Sequence, residues 1–570
     1  MSARDLSALV ALESVLEAAS AEGQPFSPAV SAELDRLEAF PAAACKVLDD
    51  FGLAAWYVPR RHGGRMESFS ELLQLWRAVA RRDLTVAVAH GKTFLGTGCV
   101  WVAADPEQAR LLGRDVAAGA VVSWGLTERG HGSDLLAGEL TARPDAAGWR
   151  VDGEKWLINN ATRGLVLCAL ARTDAAGGSR GFSLFLIDKR SLSADTYRCL
   201  PKEATHGIRG ADISGIAYAN APLPPGALVG SAGQGVEIVL KALQMSRTAC
   251  SALSLGAADH ALALALRFAA ERQLYGRRMI DLPLVRRAIG EAAATLLAAE
   301  AVSVVAGRCM AALPGEMSVV AALAKAHVPS AVDEMIGSLG ELLGARAFLT
   351  EVFEHGMFQK LERDHRIVAI FDGSTVVNRN GLINQFRNLA RGWRDARCDR
   401  DGLAIVFDAG AALPEFAPEK LSLMSAGGCS VLQSLPHTCT QLTDAPARVQ
   451  RLATAMCAAS AATLEQCGAY QPSPREVPPA AFDLARRYEL CFAGAACVGY
   501  WLANHAANQG APLWQDALWL EAALVRLLAQ LTPDAPGLED DMVIYDTLAQ
   551  ALAAPGAPRA SILAPAGEAA

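Results

Sequence analysis

The chain has 570 residues, of which 52% are hydrophobic and 20% charged, and its formal net charge is −8. This length exceeds one ordinary core and predicts about three or four domains. The apolar fraction excludes a largely disordered chain, and the mildly acidic balance provides no electrostatic footprint for nucleic acid or an anionic membrane.

Targeting signals and cysteine patterns point to a cytoplasmic protein. The first twenty residues carry Arg4, Asp5, Glu13 and Glu17, so they lack the basic start and apolar run of a signal peptide. Polar residues, glycine and proline interrupt the longest uncharged stretch, Cys491–Gln515, and argue against an integral membrane span there. The 13 cysteines include no C-x-x-C pair, which favours free thiols in a reducing cytosol over disulfides or a metal site.

Residues 1–119 are predicted to form an N-terminal helical domain, with apolar helical periodicity in Ser68–Arg81 and Pro106–Ala118. Residues 120–235 change to short apolar or alternating runs separated by turn-rich pieces, which is typical of a compact β unit, either barrel or sandwich. The predicted strands are Val121–Gly125, Trp149–Ile158, Val166–Ala171, Phe182–Ile187 and Ile213–Tyr218.

Helical periodicity returns in residues 236–395, the predicted helical bundle domain. Leu255, Ala258, Leu262, Leu266 and Ala269 follow one another at steps of three and four, which places them on one helix face. Residues 396–570 are rich in alanine and leucine with proline-punctuated joints, and we expect a separate helical extension. A β unit between helical blocks leaves a crevice on each side, and such interfaces are favoured ligand sites.

One segment stands out as a candidate site: Gly125–Asp134, which reads G-L-T-E-R-G-H-G-S-D directly after an apolar strand. Glycines and small hydroxyl side chains leave backbone N–H groups and hydroxyl donors open to a polar ring or phosphate. On loop statistics alone, a simple glycine-rich turn remains the preferred interpretation.

This segment resembles the acyl-CoA dehydrogenase family, whose motif here is L-T-E-P-x-x-G-S-D. The resemblance continues in order and spacing over roughly residues 50–375. Its further segments are F-G-L-A-A-W-Y-V-P-R-R-H-G-G at Phe51–Gly64, G-E-K-W-L-I-N-N at Gly153–Asn160, the glycine turn and helix of Gly230–Arg247, E-R-Q-L-Y-G at Glu271–Gly276 and R-D-H-R-I-V-A-I-F-D-G at Arg363–Gly373. Each motif is weak alone, but the ordered set is specific.

The resemblance implies an α+β multidomain fold. Its expected parts are an N-terminal helical domain, a central β-barrel, a C-terminal four-helix bundle and, as in larger family members, an extra C-terminal helical domain. It also implies bound FAD and α,β-dehydrogenation of an acyl thioester of CoA or an acyl carrier protein, in fatty acid metabolism. The implied partners are an electron-transferring flavoprotein and a second copy of the chain in a homodimer.

By match to the family motifs, the implied FAD contacts fall in four places. The glycine loop would supply Leu126, Thr127, Gly132 and Ser133, with Thr127 at the pyrimidine edge and Ser133 at the cofactor or the pantetheine arm of the substrate. Trp156, Leu157 and Asn159 follow on the next motif; Leu157 replaces the family's tryptophan, and Asn159 replaces a threonine near flavin N5. Arg272 would reach the pyrophosphate of a neighbouring subunit, with Tyr275 at the family's aromatic position and Ser374 after the base motif.

The implied catalytic base is Asp372, because the family has glutamate at this place in I-Y-E-G-T and the chain reads I-F-D-G-S. Aspartate is one methylene shorter, and a base must come within about 2.6–3.2 Å of its target. A second family location for the base matches Ser246, which cannot act without an activating partner. Arg247, Phe371 and Gly373, with Ser133, are the predicted substrate contacts.

Two other functions stay open on the sequence. The altered flavin surroundings and the shortened base are compatible with a flavin-dependent oxidase or monooxygenase on the same fold. A non-catalytic assembly protein is the third reading, although a protein without catalysis need not keep Thr127, Ser133 and Arg272.

Overall fold

The computed structural model describes residues 3–473, 476–533, 541–554, 556–557 and 559–563. The fold is α+β, with one large sheet between helices that precede and follow it in the chain. The N-terminal helices are α1 (Ala3–Ala19), α2 (Pro28–Arg36), α3 (Ala42–Phe51), α4 (Phe69–Arg82), α5 (Leu84–Ala103) and α6 (Pro106–Ala117).

Side-chain caps fix the start of three of these helices. Ser68 accepts from the backbone N–H of Glu71 at the start of α4, and Asp83 and Asp105 cap α5 and α6 in the same way. Such caps satisfy N–H groups that have no partner inside the helix. The helices predicted at 68–81 and 106–118 are therefore confirmed to within one residue.

The sheet contains β1 (Val122–Gly125), β2 (Thr141–Asp145), β3 (Gly148–Asn159), β4 (Val166–Arg172), β5 (Phe182–Asp188), β6 (Tyr197–Leu200), β7 (Ile213–Leu223) and β8 (Leu228–Val229). Its order is β6-β7-β3-β2-β4-β5-β8, with β1 parallel to β4. In the described part of the chain the terminal strands β6 and β8 do not pair with each other. The predicted β-barrel is therefore not found as a closed barrel: the described strands form an open sheet, since closure needs hydrogen bonds between its first and last strands.

Alternation along β4 shows how the sheet is buried on both faces. Val166, Cys168 and Leu170 pack into the main core with the helices, whereas Leu167 and Ala169 pack into a second core. Successive strand residues point to opposite faces, so this short apolar run supplies both cores at once. The second core lies within the β unit and holds the long strands β3, β4, β5 and β7 together.

The helical block after the sheet contains α7 (Gly235–Glu271), a hairpin of β9 (Gln273–Leu274) and β10 (Arg277–Arg278), α8 (Pro283–Ala312), α9 (Met317–Leu343), α10 (Ala345–Phe348), α11 (Met357–His365), α12 (Thr375–Ile383) and α13 (Phe386–Arg394). Helices α7, α8 and α9 pack on one another, and α12 packs on α9. The predicted apolar face at Leu255, Ala258, Leu262 and Ala269 is buried in α7, and Leu266 is partly buried beside it.

The C-terminal extension contains α14 (Arg400–Phe407), α15 (Ser430–Gln433), α16 (Leu435–Thr440), α17 (Ala447–Ala469), α18 (Pro479–Asn504), α19 (Leu518–Leu531) and α20 (Ile544–Ala553). Helices α18, α19 and α20 pack on α8, so the extension shares the main core. A bidentate ion pair adds to this contact, because Arg379 on α12 donates to both carboxylate oxygens of the buried Glu489 on α18.

Among the residues that the structure describes, two helices are long and apolar enough to cross a membrane, namely α7 and α8. The uncharged stretch Cys491–Gln515 is not one of them. Their most apolar windows are 78% and 89% buried inside the protein. Helices that are apolar on all sides are expected at the centre of a large core.

Candidate active site

The glycine-rich segment forms a loop after β1 whose base is fixed by a buried ion pair. The ammonium of Lys155 on β3 donates to Glu128 over 2.6 Å and to the carbonyl of Leu126 over 3.0 Å. Glu128 also accepts from the backbone N–H groups of Glu139 and Leu140. Burial alone would raise the pKa of Glu128, but the Lys155 charge and these hydrogen bonds outweigh burial and lower it. The loop is therefore held at its base, while its tip is exposed.

We expect Lys155→Met to destabilise the protein by about 3 kcal/mol, because removing one partner leaves a buried charge uncompensated. Urea unfolding followed by circular dichroism measures the change. Lys241→Met is the matched control, since the ion pair of Lys241 with Glu237 is partly exposed and contributes little. A Lys155→Met variant as stable as the wild type would show that this pair does not hold the loop.

The predicted loop residues present polar groups that have no hydrogen-bond partner among the described residues. Within the described residues, the side chains of Thr127 and Ser133 make no hydrogen bond. A Cβ atom added at Gly132 would meet nothing within 4 Å, so the backbone there is accessible. The backbone N–H of Trp156 donates to the carbonyl of Thr127 over 3.0 Å, which ties the loop to β3.

The end of β3 bends and then attaches to α5. Leu157 has a φ of 53° and is exposed, while the indole N–H of Trp156 donates to Glu203 over 2.6 Å. The amide groups of Asn159 and Asn160 donate to the carbonyls of Val88 and Ala89, respectively. The side-chain nitrogen of Asn159 is therefore engaged within the protein, and its buried oxygen has no donor among the described residues.

Beside this attachment lies a small, partly open cavity of about 10 Å³ between α4, α5, α7 and the loop before α12. Its wall is mostly apolar and contains Trp76, Ala87, Val88, Gly91, Lys92, Leu95, Ser246, Cys250, Leu253, Phe371 and Asp372. The indole ring of Trp76 lies 3.0 Å from the place of a Cβ atom at Gly91. A side chain at this position would therefore need the ring to shift by a few tenths of an ångström.

The backbone at Asp372 directs its carboxylate into the cavity. Asp372 and Gly373 have φ values of 57° and 92°, consecutive left-handed residues that form a tight turn before α12. Aspartate tolerates this region better than most residues, and glycine adopts it freely. The Asp372 side chain is only 11% exposed, and its backbone N–H has no acceptor in the described part of the chain.

Three cations surround this carboxylate. The ammonium of Lys92 lies 3.0 Å from Oδ2 of Asp372 and 3.6 Å from the ring centre of Phe371. The guanidinium of Arg247 donates to the backbone carbonyl of Asp372 over 3.3 Å, and the buried Lys325 donates to the carbonyl of Val368. Burial lowers the pKa of both Arg247 and Lys325, and the charge of Asp372 offsets part of this effect.

A thiol completes the surroundings of Asp372. The sulfur of Cys250 lies 3.8 Å from Oδ2 of Asp372. Burial raises the pKa of Cys250 to about 12, so the thiol is protonated at neutral pH and donates its proton to the carboxylate. Ser246 is buried, and its hydroxyl donates to the carbonyl of Leu243 in its own helix. Asp372 is thus the only carboxylate among the residues that line the cavity.

Three predicted residues lie away from this cavity. Arg272 and Tyr275 are on the exposed β9–β10 hairpin, where Tyr275 is 90% exposed. The Arg272 side chain makes no hydrogen bond or ion pair with the residues that the structure describes. Ser374 caps α12, since its hydroxyl accepts from the backbone N–H of Val377. The fold thus brings Phe371, Asp372 and Arg247 together and leaves the hairpin at the surface.

Lys92 is the functional candidate that the sequence motifs did not reveal. It lies outside every family motif, but the 20-residue helix α5 contains no other Asp, Glu, Lys or Arg. A charged residue in the middle of a buried apolar helix is rare unless it is paired. This isolated charge is the signal that could have identified it.

Comparisons with known proteins agree with these motifs. Residues 123–221 match the model of the acyl-CoA dehydrogenase middle domain, and residues 233–387 match that of the acyl-CoA dehydrogenase C-terminal domain. A probable acyl-CoA dehydrogenase of Mycobacterium tuberculosis is 25% identical over 61% of this chain and 88% of its own length. The human mitochondrial short-chain specific acyl-CoA dehydrogenase is 25% identical over 61% of this chain and 84% of its own length.

A solved structure extends the likeness to the C-terminal helices. The acyl-CoA dehydrogenase from Bacillus anthracis, complexed with FAD, superposes with a TM-score of 0.70 at 18% identity. The superposition covers 97% of this chain and 95% of that one, so it includes the extension after residue 395.

Proposed function

We propose that this chain, which belongs to the acyl-CoA dehydrogenase family through its middle and C-terminal domains, oxidises an acyl thioester to its α,β-unsaturated form with Asp372 as the base. It is an oxidoreductase that acts on CH–CH bonds, and its cofactor is FAD. The observation that carries the proposal is the position of Asp372, a largely buried carboxylate in a mostly apolar cavity whose wall includes Val88, the residue that accepts from Asn159 on β3.

The residues at the loop fit FAD. Thr127 and Ser133 offer unengaged hydroxyl groups, and the exposed backbone at Gly132 can approach a polar ring or phosphate. The buried oxygen of Asn159 lacks a donor within the described residues, which a ring N–H could supply. The negative charge of Glu128 is already compensated by Lys155, so it does not oppose an anionic cofactor. FAD, when bound, accepts the hydride that leaves the β-carbon of the thioester.

In this proposal Asp372 removes the α-proton of the bound thioester. Removal is feasible only if the negative charge that develops on the thioester oxygen is stabilised. The backbone N–H of Asp372, which has no acceptor within the described chain, is a donor for that oxygen. Arg247 donates to the carbonyl of the same residue and so helps to hold the turn that carries this N–H group. The apolar wall excludes water, which strengthens both interactions.

The remaining parts of the proposal concern partners and location. Arg272 and Tyr275 are exposed on one hairpin, and Phe348 is 85% exposed on α10. We propose that these groups meet a second copy in a homodimer, with Arg272 at the neighbour's FAD pyrophosphate, because guanidinium groups suit diphosphates.

An electron-transferring flavoprotein is the proposed acceptor of the electrons from the reduced flavin. A cytoplasmic location is proposed from the 13 cysteines, all of which are free, and a role in fatty acid metabolism is proposed from the family.

Anaerobic titration of the purified holoenzyme with thioesters tests the proposed reaction. We expect butyryl- or succinyl-CoA, or the same acyl groups on a carrier protein, to remove the oxidised flavin absorbance in a single turnover. A flavin that stays oxidised with every bound thioester would contradict the proposal. After reduction, rapid reoxidation by air would instead favour an oxidase, whereas slow reoxidation in air with rapid transfer to the electron-transferring flavoprotein supports a dehydrogenase.

A further inference from the structure

More positive than negative charge surrounds Asp372. Lys92, Arg247 and Lys325 carry three cationic groups, and among the described residues Asp372 is the carboxylate that interacts electrostatically with Arg247 and Lys325. Even with Lys325 neutral, two cations face one carboxylate. Buried charges are costly unless they are paired, so this cavity favours a ligand that brings negative charge.

Lys92 is the cation that can change partners. Arg247 and Lys325 are engaged with backbone carbonyls of the segment that carries the base, and moving them would disturb that segment. Lys92 comes from the opposite wall, α5, and its partner is the side chain of Asp372. A lysine ammonium on its flexible four-carbon stem can swing between two carboxylates without a change in the backbone.

The Lys92–Asp372 ion pair also obstructs the proposed reaction. A carboxylate oxygen that accepts from an ammonium at 3.0 Å is held away from a substrate carbon. A ligand that offers Lys92 another anion would release the Asp372 oxygen for proton removal.

We propose that Lys92 makes the enzyme selective for acyl thioesters that carry a carboxylate at the far end of the chain. The substrate carboxylate takes Lys92 from Asp372 and frees the base only when the correct acyl group is in place. This inference rests on the proposed function and deepens it by naming the substrate class. No bond is made or broken in this step, because one ion pair replaces another.

Binding of two thioethers of CoA tests the selectivity apart from turnover. S-butyl-CoA and S-(3-carboxypropyl)-CoA both have four-carbon chains. They lack the thioester carbonyl, so their α-hydrogens are not acidic and the enzyme cannot oxidise them. In titrations of the holoenzyme by calorimetry, we expect the carboxylate form to bind about 100-fold more tightly, as for a buried charge pair. Lys92→Met should abolish this ratio, and Lys92→Arg should retain most of it. Lys46→Met, which removes an exposed surface ion pair, is the matched control and should leave the ratio as in the wild type.

Equal affinity of the wild type for the two thioethers would overturn the inference, whatever the variants do. The inference would also be overturned if Lys92→Met kept the wild-type ratio of affinities for the two thioethers. Flavin content and the unfolding midpoint identify a variant that fails to fold. If Lys92→Met does not fold, the ratio of the two affinities in the wild type and in Lys92→Arg tests the inference. The proposed function fails separately: if neither succinyl-CoA nor butyryl-CoA reduces the flavin, the reaction is wrong, whereas reduction by both with equal kcat/KM contradicts only the selectivity.

Discussion

Replacing Asp372 with asparagine is expected to slow reduction of the flavin by a bound thioester about 1,000-fold, within the usual range for loss of a general base. Asparagine has the shape of aspartate and tolerates the left-handed φ of 57° at this position, so the turn before α12 is preserved. The amide cannot accept the α-proton. Stopped-flow absorbance under anaerobic conditions measures the rate.

Two controls separate chemistry from binding in this experiment. The dissociation constant of a non-oxidisable thioether of CoA should stay measurable in Asp372→Asn, so that a slow rate is not a consequence of an empty site. Asp50→Asn removes an exposed surface carboxylate and should leave the rate unchanged. If Asp372→Asn reduced its flavin as fast as the wild type, Asp372 would no longer be a candidate for the base.

Replacing Arg77 with methionine is expected to lower the free energy of unfolding by about 4 kcal/mol, because it removes the cation of Glu300 and leaves Asp259 with only the longer contact to Arg81, at 3.4 Å. Arg77 on α4 makes a bidentate ion pair with Asp259 on α7 and a second pair with Glu300 on α8. Glu300 also accepts from the hydroxyl of Ser561 and the backbone N–H of Ile562. One arginine thus joins the N-terminal helices, the bundle and the C-terminal segment.

Urea unfolding followed by circular dichroism measures this loss as a shift of the first transition. Arg36→Met is the matched control, since Arg36 pairs with Glu33 on the surface of α2, and we expect no measurable change there. An Arg77→Met transition at the wild-type urea concentration would show that the buried network does not stabilise the junction of these helices.

Local patterns predicted most of the secondary structure, because short-range sterics and hydrophobic periodicity determine it. The apolar run of β4 and the caps Ser68 and Asp105 are readable without tertiary contacts. Strand β2 was missed because Thr141–Asp145 is mostly polar and contains a proline, and only pairing with β3 and β4 makes it a strand. The open edge of the sheet depends on the same long-range pairing, which no local pattern encodes.

The candidate site was predictable only in part. The family motifs identify the loop at Thr127 and the turn at Asp372, because both depend on residues that are close in the sequence. The partner of Asp372 lies 280 positions away, at Lys92 on α5, and only the tertiary fold brings the two together. The engagement of Asn159 with Val88 likewise needs the packing of β3 on α5.

The central claim, that Asp372 takes the α-proton of a bound thioester, is tested most directly by the fate of that hydrogen. Wild-type holoenzyme and Asp372→Asn are mixed anaerobically with butyryl- or succinyl-CoA that carries deuterium at the α-carbon, and flavin reduction is compared with that by the unlabelled thioester. We predict that the wild type reduces its flavin more slowly with the deuterated compound and yields the α,β-unsaturated thioester. Asp372→Asn should lose this reaction. Equal rates for the two compounds together with unimpaired reduction by Asp372→Asn would contradict the account.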